Sequence, residues 1–191
     1  IIGQAQSGTG KTGAFVISAL QLLDETKKET QVVIMAPTRE LAIQIFSVTK
    51  SLGSVMTNLT IQLLIGGNST ENDIKLLKTD VPHIIIGCPG RIHDMMKRKY
   101  INAKTINLTI LDEADEMLSS GFKEQVYNIF QYLQTNVQVG LFSATIPSEL
   151  GNLTDRFMRY PIKILIKNEN LSLDGIDQYY IALEDDADKY S

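Results

Sequence analysis

The stretch Ala5-Gln6-Ser7-Gly8-Thr9-Gly10-Lys11-Thr12 ends an apolar run and opens a helical pattern. A glycine-rich turn in that setting is suited to wrap an anion. Gly8 and Gly10 let backbone N–H groups turn inward, and the helix N-terminus adds the positive end of its dipole. Lys11 can then reach the β- and γ-phosphates of a nucleoside triphosphate, and the Thr12 hydroxyl can sit on Mg²⁺. Ala5 stands where the strict pattern has Gly. The plain alternative is an ordinary strand-to-helix turn with Lys11 solvated; the strand before and the helix after favour the phosphate reading.

A second group, Asp112-Glu113-Ala114-Asp115, closes the apolar run 108–111. Asp112 is suited to hold Mg²⁺ through water, and Glu113 to orient or deprotonate an attacking water. Taken alone, these acids also suit a helix N-terminus. With a phosphate loop upstream, the pair reads as the acidic half of a triphosphate-hydrolysing site.

Four smaller groups follow other apolar runs: Pro37-Thr38-Arg39-Glu40-Leu41, Gly66-Gly67, Pro89-Gly90-Arg91 and Ser143-Ala144-Thr145. Their plain readings are a helix start capped by Thr38, two turns and a strand end. Their common position just after successive strands makes one shared surface plausible. His83 and His93 have no partner spacing that suggests a metal site. Glu184-Asp185-Asp186 reads as a solvated acidic face.

Elements that could position these groups are visible as patterns. Residues 1–5, 32–36, 61–65, 83–87, 108–111, 137–142 and 162–166 are short, apolar and rich in Ile and Val. Such runs predict strands buried on both faces, as in a parallel sheet. Between them, 13–23, 40–52, 124–133 and 150–158 carry apolar residues at helical spacing. The alternation predicts a doubly wound, mainly parallel α/β sheet with its sites at the carboxyl ends of the strands. Turns are expected at 66–68, 88–90 and 146–147.

Composition narrows the function classes. The 191 residues, 43% of them hydrophobic and 21% charged, suit a globular domain with a substantial core. No apolar run approaches the roughly 20 residues needed to span a bilayer, so no membrane association is expected. A net charge of −4 argues against coating nucleic acid by bulk positive charge, so any contact must be local. Cys88 is the only cysteine, which excludes an internal disulfide and fits a reducing compartment, cytoplasmic or nuclear.

In order and wording, these motifs resemble those of the DEAD-box RNA helicases, with Asp112-Glu113-Ala114-Asp115 matching the family's name-giving tetrapeptide literally. The resemblance spans Ala5 to Thr145 and is nearest to the branch serving translation initiation and the exon junction. It implies a RecA-like P-loop NTPase fold with ATP and magnesium as cofactors. It also implies that Gln6, Ser7, Gly8, Thr9, Gly10, Lys11 and Thr12 bind ATP, with Thr12 and Asp112 serving the metal. Lys11, Asp112 and Glu113 take the catalytic roles, and Asp115 hydrogen-bonds to Ser143 or Thr145 to link hydrolysis to RNA. Pro37, Thr38, Arg39, Gly66, Gly67, Pro89, Gly90 and Arg91 are implied to touch the RNA sugar-phosphate backbone. Cys88 departs from the family, which has Thr there, and puts one such contact in doubt.

On that resemblance, 1–166 form an N-terminal RecA-like domain with a truncated start. Residues 167–191 form a linker and the first strand of a second, missing RecA-like domain, which carries arginine fingers. An adenine-reading motif is expected upstream of Ile1. The implied function is ATP-driven unwinding or remodelling of RNA, with single-stranded or duplex RNA and initiation or exon-junction scaffold proteins as partners. The rivals are an ATP-dependent RNA clamp or scaffold with little unwinding, a DNA helicase, and a GTPase, whose Asn-Lys-x-Asp guanine reader is absent from the sequence.

Overall fold

The computed structural model describes residues 1–6, 8–119, 121–146, 148–165, 179, 181 and 182. Seven strands form one sheet: β1 (Ile2–Gln4), β2 (Val32–Met35), β3 (Ile61–Leu64), β4 (Ile84–Gly87), β5 (Leu108–Leu111), β6 (Gln138–Ser143) and β7 (Lys163–Ile164). Their order is β3-β4-β2-β5-β6-β1-β7, and every pair is parallel. Burial of β2, β4 and β5 on both faces explains their unbroken Ile, Val and Leu content.

Alternate side chains feed two cores. Val32, Ile34, Ile84, Ile86, Leu108 and Ile110 meet Phe15, Val16 and Ala19 of helix α1 (Lys11–Leu22) and Ala42 and Ile45 of α2 (Arg39–Leu52). On the opposite face, Val33, Met35, Ile85, Leu111 and Leu141 join a second core. It is closed by α3 (Thr70–Thr79), α4 (Pro89–Lys97), α5 (Ala114–Ser119) and α6 (Lys123–Tyr132). Phe15 is fully buried with its ring 5.2 Å from that of Phe142; a side chain of that kind contributes roughly 1.5–3 kcal/mol. Helix α7 (Ser148–Phe157) stacks Phe157 on Phe130 at 4.7 Å between centroids.

The doubly wound parallel sheet is as expected, with differences at its edges. Residues 162–165 do not form a buried strand, and Ile166 lies outside the described residues. β7 is only two residues long, and Ile162, Ile164 and Leu165 are largely exposed. Pro89 is the first residue of α4, so the turn expected at 88–90 is a helix start. A proline fits there because its missing N–H has no intrahelical partner to lose. The predicted linker at 167–173 and the acidic run 184–186 lie outside the described residues. So does the strand predicted at 176–183, apart from 179, 181 and 182, which have no strand pairing. His83 precedes β4, and its Nδ1 accepts the Thr60 N–H at 3.1 Å. Among the described residues no His, Cys, Asp and Glu group could hold a metal by itself, and no helix is long and apolar enough to cross a membrane.

Thr109, fully buried in the middle of β5, has a hydroxyl with no hydrogen-bond partner among the described residues. Thr109→Val keeps the shape and removes the desolvated oxygen. It should stabilise the protein by about 1 kcal/mol, read as a higher urea midpoint with an unchanged slope. A lower midpoint would show that the hydroxyl is paired in solution.

Candidate active site

β1 lies between β6 and β7, and Ala5 continues it by donating its N–H to the Ser143 carbonyl at 3.1 Å. The chain then turns through Gly8 and Gly10, at φ 80° and 94°. A side chain at either would be strained by that backbone conformation although the space around it is open. Thr9 Oγ1 donates to the Gln6 carbonyl at 2.8 Å and tightens the loop. Gly10 is the N-cap of α1 and supplies no side-chain oxygen, so among the described residues no side chain caps the first turn. An open cradle of this kind, with an uncapped helix end above it, fits a phosphate. Lys11 and Thr12 are the first two helical residues. Ser7 lies outside the described residues.

Lys11 Nζ donates to the Ala5 carbonyl and to Glu113 Oε1, both at 2.9 Å. The ion pair is sheltered, the Lys11 side chain being 8% exposed. Asp112 follows β5 and is buried, its N–H held by the Met35 carbonyl. Burial and the nearby charge of Glu113 push its pKa up to about 6 against the pull of Lys11. Glu113 has φ 48°, a left-handed conformation that costs a non-glycine residue roughly 1–2 kcal/mol. The strain sits where the strand turns into α5.

Asp115, in the first turn of α5, accepts a hydrogen bond from the Thr145 hydroxyl. Burial raises its pKa, but the Thr145 and Ser143 hydroxyls outweigh this and hold the carboxyl below its ordinary value. Ser143 Oγ donates to the Thr145 carbonyl at 2.6 Å. Both partners expected for Asp115 stand beside it: Thr145 donates to its carboxylate, and Ser143, whose hydroxyl also lowers the Asp115 pKa, braces the loop.

The remaining predicted residues gather at the other half of the same sheet edge. Pro37, Thr38, Arg39, Gly66, Gly90 and Arg91 line one open groove of about 580 Å³. Thr38 caps α2 by accepting the Leu41 N–H at 3.2 Å, so the plain reading of that residue holds as well. Arg39 lies over the glycine doublet. A Cβ on Gly67 would come within 2.7 Å of Arg39 Nη1, and Gly67 itself has φ 90°. Pro89 is buried beneath the groove at the start of α4. Arg91 is turned inward, to Asp73 and to the Asn68 carbonyl. Cys88 is the N-cap of α4 and makes no side-chain capping bond; burial pushes its thiol pKa up.

Sequence reasoning missed Asp94 and Phe122 on the groove wall, beside Glu40 of the Pro37–Leu41 group, and Gly87 and Asp73 behind it. Only Gly87 left a signal, as the glycine ending an Ile run. A Cβ there would meet the Leu64 carbonyl at 2.0 Å, so glycine lets β3 and β4 bring their loops together.

Fold and site together define a P-loop nucleotide-binding domain. The DEAD/DEAH box helicase profile matches residues 1–153. The chain is 52% identical over 184 residues to the ATP-dependent RNA helicase eIF4A of Lodderomyces elongisporus, covering 96% of this chain and 46% of that protein. It is 50% identical over 190 residues to the eIF4A of Debaryomyces hansenii, covering 100% and 47%. Among solved structures, a DEAD box protein from the hyperthermophile Methanococcus jannaschii has 39% identity and a TM-score of 0.77, over 82% of this chain and 42% of that one. An S. cerevisiae Dbp5 variant bound to RNA and ADP–BeF3 has 31% identity and a TM-score of 0.83, over 93% and 44%. The chain belongs to the DEAD/DEAH box helicase family, and it spans about half the length of the curated relatives it matches.

Asp112 makes stability depend on pH. Its folded pKa lies above the unfolded value of 3.8, so the folded state holds the proton more tightly. The resulting penalty is absent below about pH 4, grows as pH rises, and is complete above about pH 6, at up to about 3 kcal/mol. In metal-free, nucleotide-free buffer, Asp112→Asn should therefore stabilise the protein at pH 7.5 and make little difference at pH 4. Thermal melts of both forms across that range test this; a parallel pH dependence in the two would contradict it.

Proposed function

We propose that this domain is the ATP-binding half of an ATP-dependent RNA helicase that grips single-stranded RNA by its backbone and unwinds or remodels it. The observation that carries the reading is the Lys11–Glu113 ion pair at the mouth of the phosphate loop. A triphosphate competes for Lys11 through its own negative charge. Glu113 is then released to orient water and accept its proton. The donor set suits magnesium, since Thr12 and Asp112 offer hard oxygens, and a buried carboxylate already pushed toward protonation gains from a cation beside it. Bound there, Mg²⁺ would neutralise phosphate charge.

The Asp115–Thr145 hydrogen bond ties the end of β6 to the acidic turn and gives a short path between hydrolysis and the loops of the sheet edge. In the groove, the backbone at Gly66, Gly67 and Gly90 and the side chains of Thr38 and Arg39 are suited to phosphates and 2′-hydroxyls, which carry no sequence information. The RNA-bound and ADP–BeF3-bound state of the Dbp5 relative supports this assignment. Scaffold proteins of translation initiation or the exon junction, in cytoplasm or nucleus, are the partners proposed for the whole protein.

Two variants of the full-length protein test the chemistry. Lys11→Ala should weaken ATP binding and abolish RNA-stimulated hydrolysis. Glu113→Gln should retain ATP and lose at least about 100-fold in turnover, because an amide cannot accept the proton. Normal hydrolysis in both would sink the reading. A protein that binds ATP and RNA but shows no turnover even with both residues intact would be a clamp.

A further inference from the structure

We propose that Asp73 is a positioning residue for the groove: it holds Arg91 as a strut between the glycine doublet and α4, so that Arg91 shapes the RNA surface and does not itself grip a phosphate. This rests on the RNA reading of the groove given above.

Asp73 lies in the first turn of α3, a largely polar helix, yet it is 3% exposed. A carboxylate taken out of water is costly unless it is paired and hydrogen-bonded. Its partner is Arg91, whose side chain is only 12% exposed. One terminal nitrogen of Arg91 meets the Asp73 carboxylate, and the other donates to the Asn68 carbonyl at 3.0 Å. Asn68 follows the Gly66-Gly67 doublet directly, while Arg91 itself belongs to α4. The guanidinium fork therefore fastens the glycine loop to α4 and to α3 at once. Behind it, Gln62 Nε2 of β3 donates to the Asp73 carbonyl at 3.1 Å and fixes the start of α3.

Arg39 offers the contrast. It is exposed, lies across the doublet and forms no ion pair among the described residues. A cation without a carboxylate partner is available to a phosphate. Arg91 has its charge matched and two of its donors aimed inward. Only the planar fork of arginine makes both bonds, so lysine is not an equivalent at this position.

The salt dependence of RNA binding separates the two roles, because removing one cation from a phosphate lowers the slope of log K against log salt by about one. In the full-length protein, Arg39→Ala should reduce that slope. Asp73→Asn should weaken binding of a single-stranded RNA by roughly tenfold, as loss of an orienting partner does elsewhere, and leave the slope as it was. It should raise the RNA concentration needed for half-maximal ATPase stimulation, with the rate at saturating RNA and the RNA-independent rate unchanged. Arg91→Lys should likewise weaken RNA binding with the slope unchanged, and it decides the matter if Asp73→Asn does not fold. The inference is overturned if Asp73→Asn leaves RNA affinity unchanged, or if Arg91→Lys keeps full affinity. It is also overturned if Arg91→Ala lowers the slope as Arg39→Ala does. If the unaltered protein binds no RNA, or if Arg39→Ala is silent, the RNA reading of the groove itself has failed.

Discussion

Parallel pairing brings Met35, Leu64, Gly87 and Leu111 to one level of the sheet, as the registers Met35↔Gly87, Leu64↔Gly87 and Met35↔Leu111 show. Every loop that follows therefore leaves the same edge. After β2 come Thr38 and the α2 start at Arg39, after β3 Gly66 and Gly67, after β4 Cys88 and the α4 start with Arg91, and after β5 Asp112, Glu113 and the α5 start with Asp115. β1 and β6 run two residues further, to the pair Gln4↔Ser143, before giving way to the phosphate loop and to Thr145. An antiparallel strand in the middle would send one of these groups to the far side. The site thus follows from strand direction, and the direction from crossover helices that must cover both faces.

The edge so assembled concentrates charge that the domain must hold without its ligands. Lys11 is satisfied by Glu113 and Ala5, whereas Asp112 is desolvated beside a like charge. Glu113 adds a strained backbone. These costs gather in two consecutive residues, and the core elsewhere must offset them. Such a site is stabilised by whatever brings positive charge to Asp112 and negative charge to Lys11, so occupancy and stability are linked.

Legibility in the sequence tracks local determination. The central strands are plain because burial on both faces leaves no polar position to break the run, as in Val32–Met35 and Ile84–Gly87. The phosphate loop is plain because its glycines answer to backbone conformation. Helix α3 is hard to read: Thr70–Thr79 has little apolar periodicity, and its start rests on a Ser69 cap to the Asn72 N–H. Residues 162–165 mislead because Ile and Leu at a sheet edge look like Ile and Leu in its middle. The partnership of Arg91 with Asp73 spans eighteen positions and two helices, and nothing local to either residue announces it.

The groove also answers how an acidic protein could hold a polyanion. Its net charge of −4 gives no general attraction, and Glu40 and Asp94 stand on the groove wall itself. Yet α2 and α4 both begin there, at Thr38 and Cys88, and point the positive ends of their dipoles into it. At α4 the N-cap residue Cys88 makes no side-chain capping bond, so among the described residues the first N–H groups have no side-chain competitor. Attraction made from backbone is short in range and fixed in position. It favours a phosphate at a given spot while the surrounding carboxylates disfavour one elsewhere. On the proposed RNA reading, such a surface would select the path of a strand through its backbone and be indifferent to its bases, as removal of a strand from a duplex of any sequence requires.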